Sequence, residues 1–197
     1  GVTEVRKGEH IETILKSDVV AKGVTTGFEQ FAFEHCAMPE IDLDSIDLSI
    51  PVFGKTLQAP ILISSMTGGV SQGGIINRRL AECAQALGLA MGLGSQRAGL
   101  EQSSLAKTYK VRDVAPDILL FANLGAVQLN YGYGIDEARR AVDMIEANAL
   151  FIHLNPLQEA VQPEGDRNWF GILKKLENLI SQLDVPIVVK EIGAGLS

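Results

Sequence analysis

Positive charge is scarce in this chain: 17 lysines and arginines stand against 24 aspartates and glutamates, a net charge of −7 over 197 residues. A nucleic-acid surface needs a clustered basic face, so none is expected. Cysteine is scarcer. Cys36 and Cys83 show neither CxxC spacing nor the density of a disulfide scaffold, and read as buried free thiols of a protein in the reducing cytoplasm. Apolar runs stay well short of the roughly 18 residues that span a bilayer, and the amino terminus does not resemble a signal peptide. No membrane partner is expected. Gly1-Val2 reads as a trimmed start and carries no fold argument.

What is present suits a globular protein with a sizeable core, at 46% hydrophobic and 21% charged residues. An anionic small molecule stays compatible with the charge, because a few local cations suffice. Arg6, Lys7 and Arg97 are candidates.

Five short hydrophobic runs recur, each ending in polar or glycine-rich residues: Ile61 to Ser65, Leu89 to Gly94, Leu119 to Ala122, Leu150 to Ile152 and Ile187 to Val189. They are nearly continuous rather than alternating, as in parallel strands buried on both faces. Their spacing, roughly thirty residues, is that of βαβ units. Helical stripes fill the gaps: Leu80, Ala81, Ala84 and Leu87 with Gly88 as a stop; Ala138, Ala141, Val142 and Ile145; and Trp169 through Leu183, ended before Pro186. Ser103 to Val114 reads as a weaker helix, and Ile46 to Gln58 as a hairpin turning at Gly54-Lys55. An eight-stranded barrel needs about 250 residues. The pattern therefore predicts either a five-stranded open sheet or a barrel short of its last three units. The closing Gly193 to Ser197, with Ser197 placed like a helix N-cap, favours the second. The expected division is an amino-terminal segment over 1–59 and a partial barrel over 60–197.

Ligands bind at the carboxyl ends of parallel strands, so the residues ending each run are the site candidates. Side-chain alternation puts His153 and Asn155 on one face. Lys190 ends the fifth run, where a charge demands an ion pair or a ligand; Asn123 and His153 on neighbouring strand ends favour the ligand. Met66-Thr67-Gly68-Gly69 offers small residues and free backbone amides to a phosphate or a planar ring. Ser95-Gln96-Arg97 sets a hydroxyl, an amide and a guanidinium in succession; Arg97 suits a bidentate anion contact, or a solvated surface. Glu159, beside Gln158, is a carboxylate of the kind that binds Mg²⁺ next to phosphates. Arg6-Lys7-Gly8-Glu9-His10 is a compact basic cluster.

Together these segments resemble the type 2, FMN-dependent isopentenyl-diphosphate isomerase family. The resemblance runs from Arg6 to Ser197. It rests on Arg6-Lys7-Gly8-Glu9-His10-Ile11, Phe33-Glu34-His35 with Pro39-Glu40-Ile41-Asp42, Ser65 to Gly69, Gly94 to Arg97, Asn123-Leu124-Gly125, His153 to Glu159 and Val189-Lys190-Glu191. It implies a TIM (β/α)8 barrel with FMN over its carboxyl-terminal face, of which this chain would cover about five βα units. Ser65, Met66, Thr67, Ser95, Asn123 and Lys190 would contact the flavin. Arg6, Lys7, His10, Ser95, Gln96, Arg97, His153 and Asn155 would grip the substrate diphosphate. Gln158 would sit near the allylic carbons, Glu159 would hold Mg²⁺, and His153 would be an auxiliary catalytic group rather than the base.

The implied reaction of isoprenoid biosynthesis interconverts isopentenyl and dimethylallyl diphosphate without net redox change, using reduced FMN with NADPH as reductant, in a homo-oligomer of four or more subunits. Reduced flavin itself would move the protons. Family members run to roughly 330 to 370 residues, which implies that the last three βα units, with the turns that hold the FMN phosphate, are missing. These 197 residues alone are then expected to bind flavin weakly and to lack activity. Two other readings compete: another FMN-dependent barrel oxidoreductase, or a non-catalytic assembly module with open sheet edges.

Overall fold

The computed structural model describes residues 9, 11–20 and 22–196. Residues 11–16 are helical, and every residue from 28 to 48 is solvent-exposed. Two strands then form an antiparallel hairpin, β1 (Ile50–Val52) and β2 (Lys55–Leu57), with Ile50 opposite Leu57 and Val52 opposite Lys55. The turn is Phe53-Gly54, both at positive φ (45° and 76°), which matches the right-handed twist of the strands. The sequence expectation sat one residue late at the turn, because a phenylalanine is not the residue usually found there.

The rest of the chain alternates strand and helix. Strands β3 (Leu62–Ile63), β4 (Ala90–Gly92), β5 (Leu120–Gly125), β6 (Ala149–His153) and β7 (Ile187–Lys190) pair in parallel, in the order β3-β4-β5-β6-β7. The architecture is α/β, but the expected TIM (β/α)8 barrel is not what these residues form. They make an open five-stranded half-barrel sheet beside a separate two-stranded antiparallel sheet. Closure requires the two end strands to pair, and β3 and β7 each have a strand on one side alone.

The outer face of this sheet carries Met91, Leu120, Ala122, Leu124, Leu150 and Ile152 into the main core, against helices Ser71–Leu87, Ile135–Ile145 and Ile172–Gln182. Helix Ser71–Leu87 buries Gly73, Asn77, Ala81 and Ala84 and ends on Gly88, which takes the left-handed conformation of a C-cap. Cys83 falls on the opposite side of that stripe. It is exposed, as is Cys36, so the expectation of two buried thiols is corrected. The expected helix over 103–114 is instead a short 3-10 segment, Ser103–Thr108, preceded by a five-residue helix, Arg97–Glu101.

The inner face is layered. Its lower part is apolar: Phe121 and Phe151 stack at 4.3 Å, Phe53 meets Phe121 edge-on at 6.2 Å, and Leu57 of the hairpin is buried with Ala90, Leu119 and Ala149. The hairpin thus covers the amino ends of the strands. Arg112 closes the same end, donating to the carbonyls of Ala115, Ile118 and Glu146 and to Asn148 Oδ1 at 2.7–3.2 Å.

Candidate functional site

Two residues further along each strand the inner face turns polar. Asn123 follows Phe121 on β5, His153 follows Phe151 on β6, and Lys190 follows Val188 on β7, all pointing inward by the two-residue period. The strands are longer at their carboxyl ends than the sequence suggests, so all three lie within strands. His153 and Lys190 are register partners. His153 Nδ1 lies 2.8 Å from Asn123 Oδ1. An amide oxygen only accepts, so Nδ1 carries a proton directed at Asn123. Lys190 Nζ donates to the Glu191 carbonyl at 2.7 Å. Burial pulls its pKa below the ordinary lysine value, with the Glu191 charge partly opposing the shift.

These residues face a cavity of about 510 Å³. One wall is the loop after β3. Thr67 is fixed there by its carbonyl, which accepts from Gly94 N at 3.0 Å and Asn77 Nδ2 at 3.2 Å. Gly94 is required at that contact, since a Cβ on it would lie 2.6 Å from the Thr67 carbonyl oxygen. The backbone amide of Gly69, expected to be free for a ligand, donates instead to Thr108 Oγ1 at 2.8 Å. Ser65 and Met66 line the cavity on this wall, and the buried Ser65 Oγ has no hydrogen-bond partner.

The loop after β4 divides its three candidates. Ser95 lines the cavity, and its carbonyl accepts from the buried Tyr109 hydroxyl at 2.8 Å; burial raises the Tyr109 pKa. Gln96 does not line the cavity. It is fully buried, donating to the Ala141 carbonyl at 2.8 Å and accepting from Asn123 N at 2.9 Å, so its amide ties β5 to helix Ile135–Ile145. Arg97 lines the cavity while its Nε donates to Glu101 and its Nη1 to Asp166, at 2.8 and 2.7 Å. Burial acts to lower its pKa, but the bonds to these two carboxylates prevail and raise it.

The remaining wall is helix Pro156–Val161, begun by a proline at its first position. Glu159 is buried at 4% exposure. Its two oxygens accept from Asn155 Nδ2 at 3.0 Å and Asp166 N at 2.8 Å. Asn155 Nδ2 also donates to Gln158 Oε1 at 3.2 Å, whereas Asn155 Oδ1 is buried without a partner. Among the described residues no group of three or more His, Cys, Asp or Glu could hold a metal. An oxygen-only pair, Glu159 with the unpartnered Asn155 Oδ1, nonetheless suits Mg²⁺, which takes one or two carboxylates and completes its shell with phosphates and water.

Apolar residues also line it: Ile11 with the largely exposed Ile14 and Leu15 from the amino-terminal helix, and Ile76 and Leu80 from helix Ser71–Leu87. Arg6, Lys7 and His10 lie outside the described residues. Two cavity-side residues escaped the sequence reading. Gln128 lines the cavity with a buried, unpartnered Oε1; the signal was its position just past the Asn123-Leu124-Gly125 strand end. Asp166 lies in a loop with no motif around it.

No family model matches the chain. It is 63% identical over 195 residues to a Synechocystis protein named isopentenyl-diphosphate delta-isomerase, covering 99% of this chain and 56% of that protein. A Nostoc protein of the same name is 54% identical over 195 residues, again covering 99% and 56%. One from Stutzerimonas stutzeri, also so named, is 55% identical over 193 residues, covering 98% and 56%. The chain spans about half the length of these relatives.

Proposed function

We propose that this chain forms the substrate end of an isopentenyl-diphosphate delta-isomerase of the type 2 kind, which uses reduced FMN and Mg²⁺. The observation that carries this reading is the mixed lining of one cavity: a guanidinium, an imidazole and a buried carboxylate together with Ile11, Ile14, Leu15, Ile76 and Leu80. A diphosphate bearing a five-carbon hydrocarbon calls for both kinds of group. The names of the relatives support the isomerase part of this reading.

In this reading Arg97, Ser95 and Asn155 bind the diphosphate, with Arg6, Lys7 and His10 contributing from the amino terminus. Glu159 and Asn155 Oδ1 hold Mg²⁺. Ser65, Met66, Thr67, Asn123 and Lys190 border the flavin; the buried, unpartnered Ser65 Oγ is the kind of atom a ring heteroatom would satisfy. Reduced FMN, when bound and kept reduced by NADPH, supplies proton exchange at carbon. The isomerisation adds a proton to the terminal methylene and removes one from C2. Gln158 orients the allylic carbons. His153, its Nδ1 proton directed to Asn123, is an auxiliary group beside the diphosphate.

The test is conversion of isopentenyl to dimethylallyl diphosphate by these residues within a protein of their relatives' length, followed by NMR with FMN, Mg²⁺ and NADPH each omitted in turn; the 197 residues alone are expected not to convert it. Conversion that needs both FMN and a reductant is the expected result. Conversion at the same rate without FMN would sink the type 2 assignment, and hydride transfer from a hydroxy acid would point to a different flavin enzyme.

A further inference from the structure

Asp166 belongs to no motif, yet it touches both polar ends of the cavity. Its backbone amide donates to Glu159 Oε2 at 2.8 Å, and its carboxylate accepts from Arg97 Nη1 at 2.7 Å. Its side chain is 14% exposed, well below that of a surface ion pair. The loop that carries it sits flush on the helix bearing Glu159: a Cβ on Gly165 would fall 1.8 Å from the Glu159 carbonyl oxygen. Glu101 holds the Arg97 Nε at 2.8 Å. A guanidinium has five N–H donors in a fixed fork. Two serve these acids, which leaves donors for an anion while the fork is held still.

We infer that Asp166 is a positioning residue that joins Arg97 and Glu159 into one unit, so that the cationic and carboxylate ends of the diphosphate site are set by a single loop. This rests on the diphosphate reading above. Without Asp166 the guanidinium keeps its charge but loses its aim. The pocket would become less negative and still bind the anion less well.

The experiment is a double-mutant cycle on binding of inorganic pyrophosphate with Mg²⁺, measured by calorimetry on the full chain. Asp166→Asn keeps the shape and the backbone amide, and so the bond to Glu159. It is expected to weaken binding about tenfold, the effect of losing one charge-assisted hydrogen bond. In an Arg97→Met background it should cost less than twofold more. Equal losses in both backgrounds would mean that Asp166 acts on the fold alone, and would overturn the inference. A second readout needs no ligand: guanidinium rotation of Arg97, followed by ¹⁵N NMR, should speed up in Asp166→Asn, and an unchanged rate would also overturn it. If the unsubstituted chain binds no pyrophosphate, the diphosphate reading falls and takes the inference with it. Loss of binding in the variant alone cannot be confused with that outcome.

Discussion

The lower and upper layers of the inner sheet face share their strands and differ by two residues on each. Below, Phe121 and Phe151 stack and the hairpin covers them. Above, Asn123 and His153 bond to each other beside Lys190, and Ser65 Oγ, Gln128 Oε1 and Asn155 Oδ1 stay buried without partners. Burying an unpaired polar atom is unfavourable. The lower layer therefore stabilises the fold, while the upper one holds groups open to water or a ligand. The same backbone carries both tasks because side chains at i and i+2 share a face but not a depth.

The widest break in that contrast should come from Phe151→Ala. Truncating a buried, stacked ring is expected to lower unfolding stability by about 3–5 kcal/mol in urea titrations, and to loosen the hairpin through Phe121. A loss below about 1 kcal/mol would show that the lower layer does not hold the sheet. Next comes Arg112→Met, which strands several carbonyls at the same end and should lose about 2 kcal/mol. His153→Ala probes the other layer. There the expected stability change is within about 1 kcal/mol, whereas affinity for isopentenyl diphosphate should fall about tenfold, the scale of a charge-assisted contact. A His153 variant that unfolds like the Phe151 variant would merge the two layers into one.

The strands were legible because each shows as an unbroken apolar run, the mark of the burial that β4, β5 and β6 have on both faces; β3 and β7 carry the same run with only partial cover. Their order follows from the βαβ spacing, and the inward aim of His153 and Lys190 from the two-residue period. That logic ends where the strands end. Gln96 follows β4 in a loop, where no period says that its amide turns away from the cavity to helix Ile135–Ile145. Asn155 lines the cavity with the half-buried His153, but through its place at the start of helix Pro156–Val161. Asp166 was invisible because its two bonds join residues 7 and 69 positions away. The barrel expectation failed for a different reason: an open five-stranded sheet and five units of a barrel carry the same local pattern, and what separates them is long-range. The exposure of Cys83 was hidden because the stripe read from the sequence, Leu80, Ala81, Ala84 and Leu87, puts residue 83 at its edge, whereas the buried stripe is Gly73, Asn77, Ala81 and Ala84.

The smallest expected effect concerns Lys190, and its sign follows from linkage. Burial holds its pKa in the folded chain below the ordinary 10.5 of the unfolded chain. Between those two values the unfolded state binds more protons, so stability must rise with pH through that interval. Below the folded value the penalty is present in full; above 10.5 it is gone. Lys190→Met removes the charge but keeps most of the side-chain volume. It should therefore be slightly more stable than the unsubstituted chain at neutral pH and should flatten the rise just below pH 10.5, both visible in urea midpoints measured across that range. The gain is small because Lys190 is only partly buried and already donates to the Glu191 carbonyl. If Lys190→Met is less stable than the unsubstituted chain at neutral pH, the lysine belongs energetically with the lower layer. If it is more stable yet binds FMN less well, the upper layer keeps a charge that folding alone would reject.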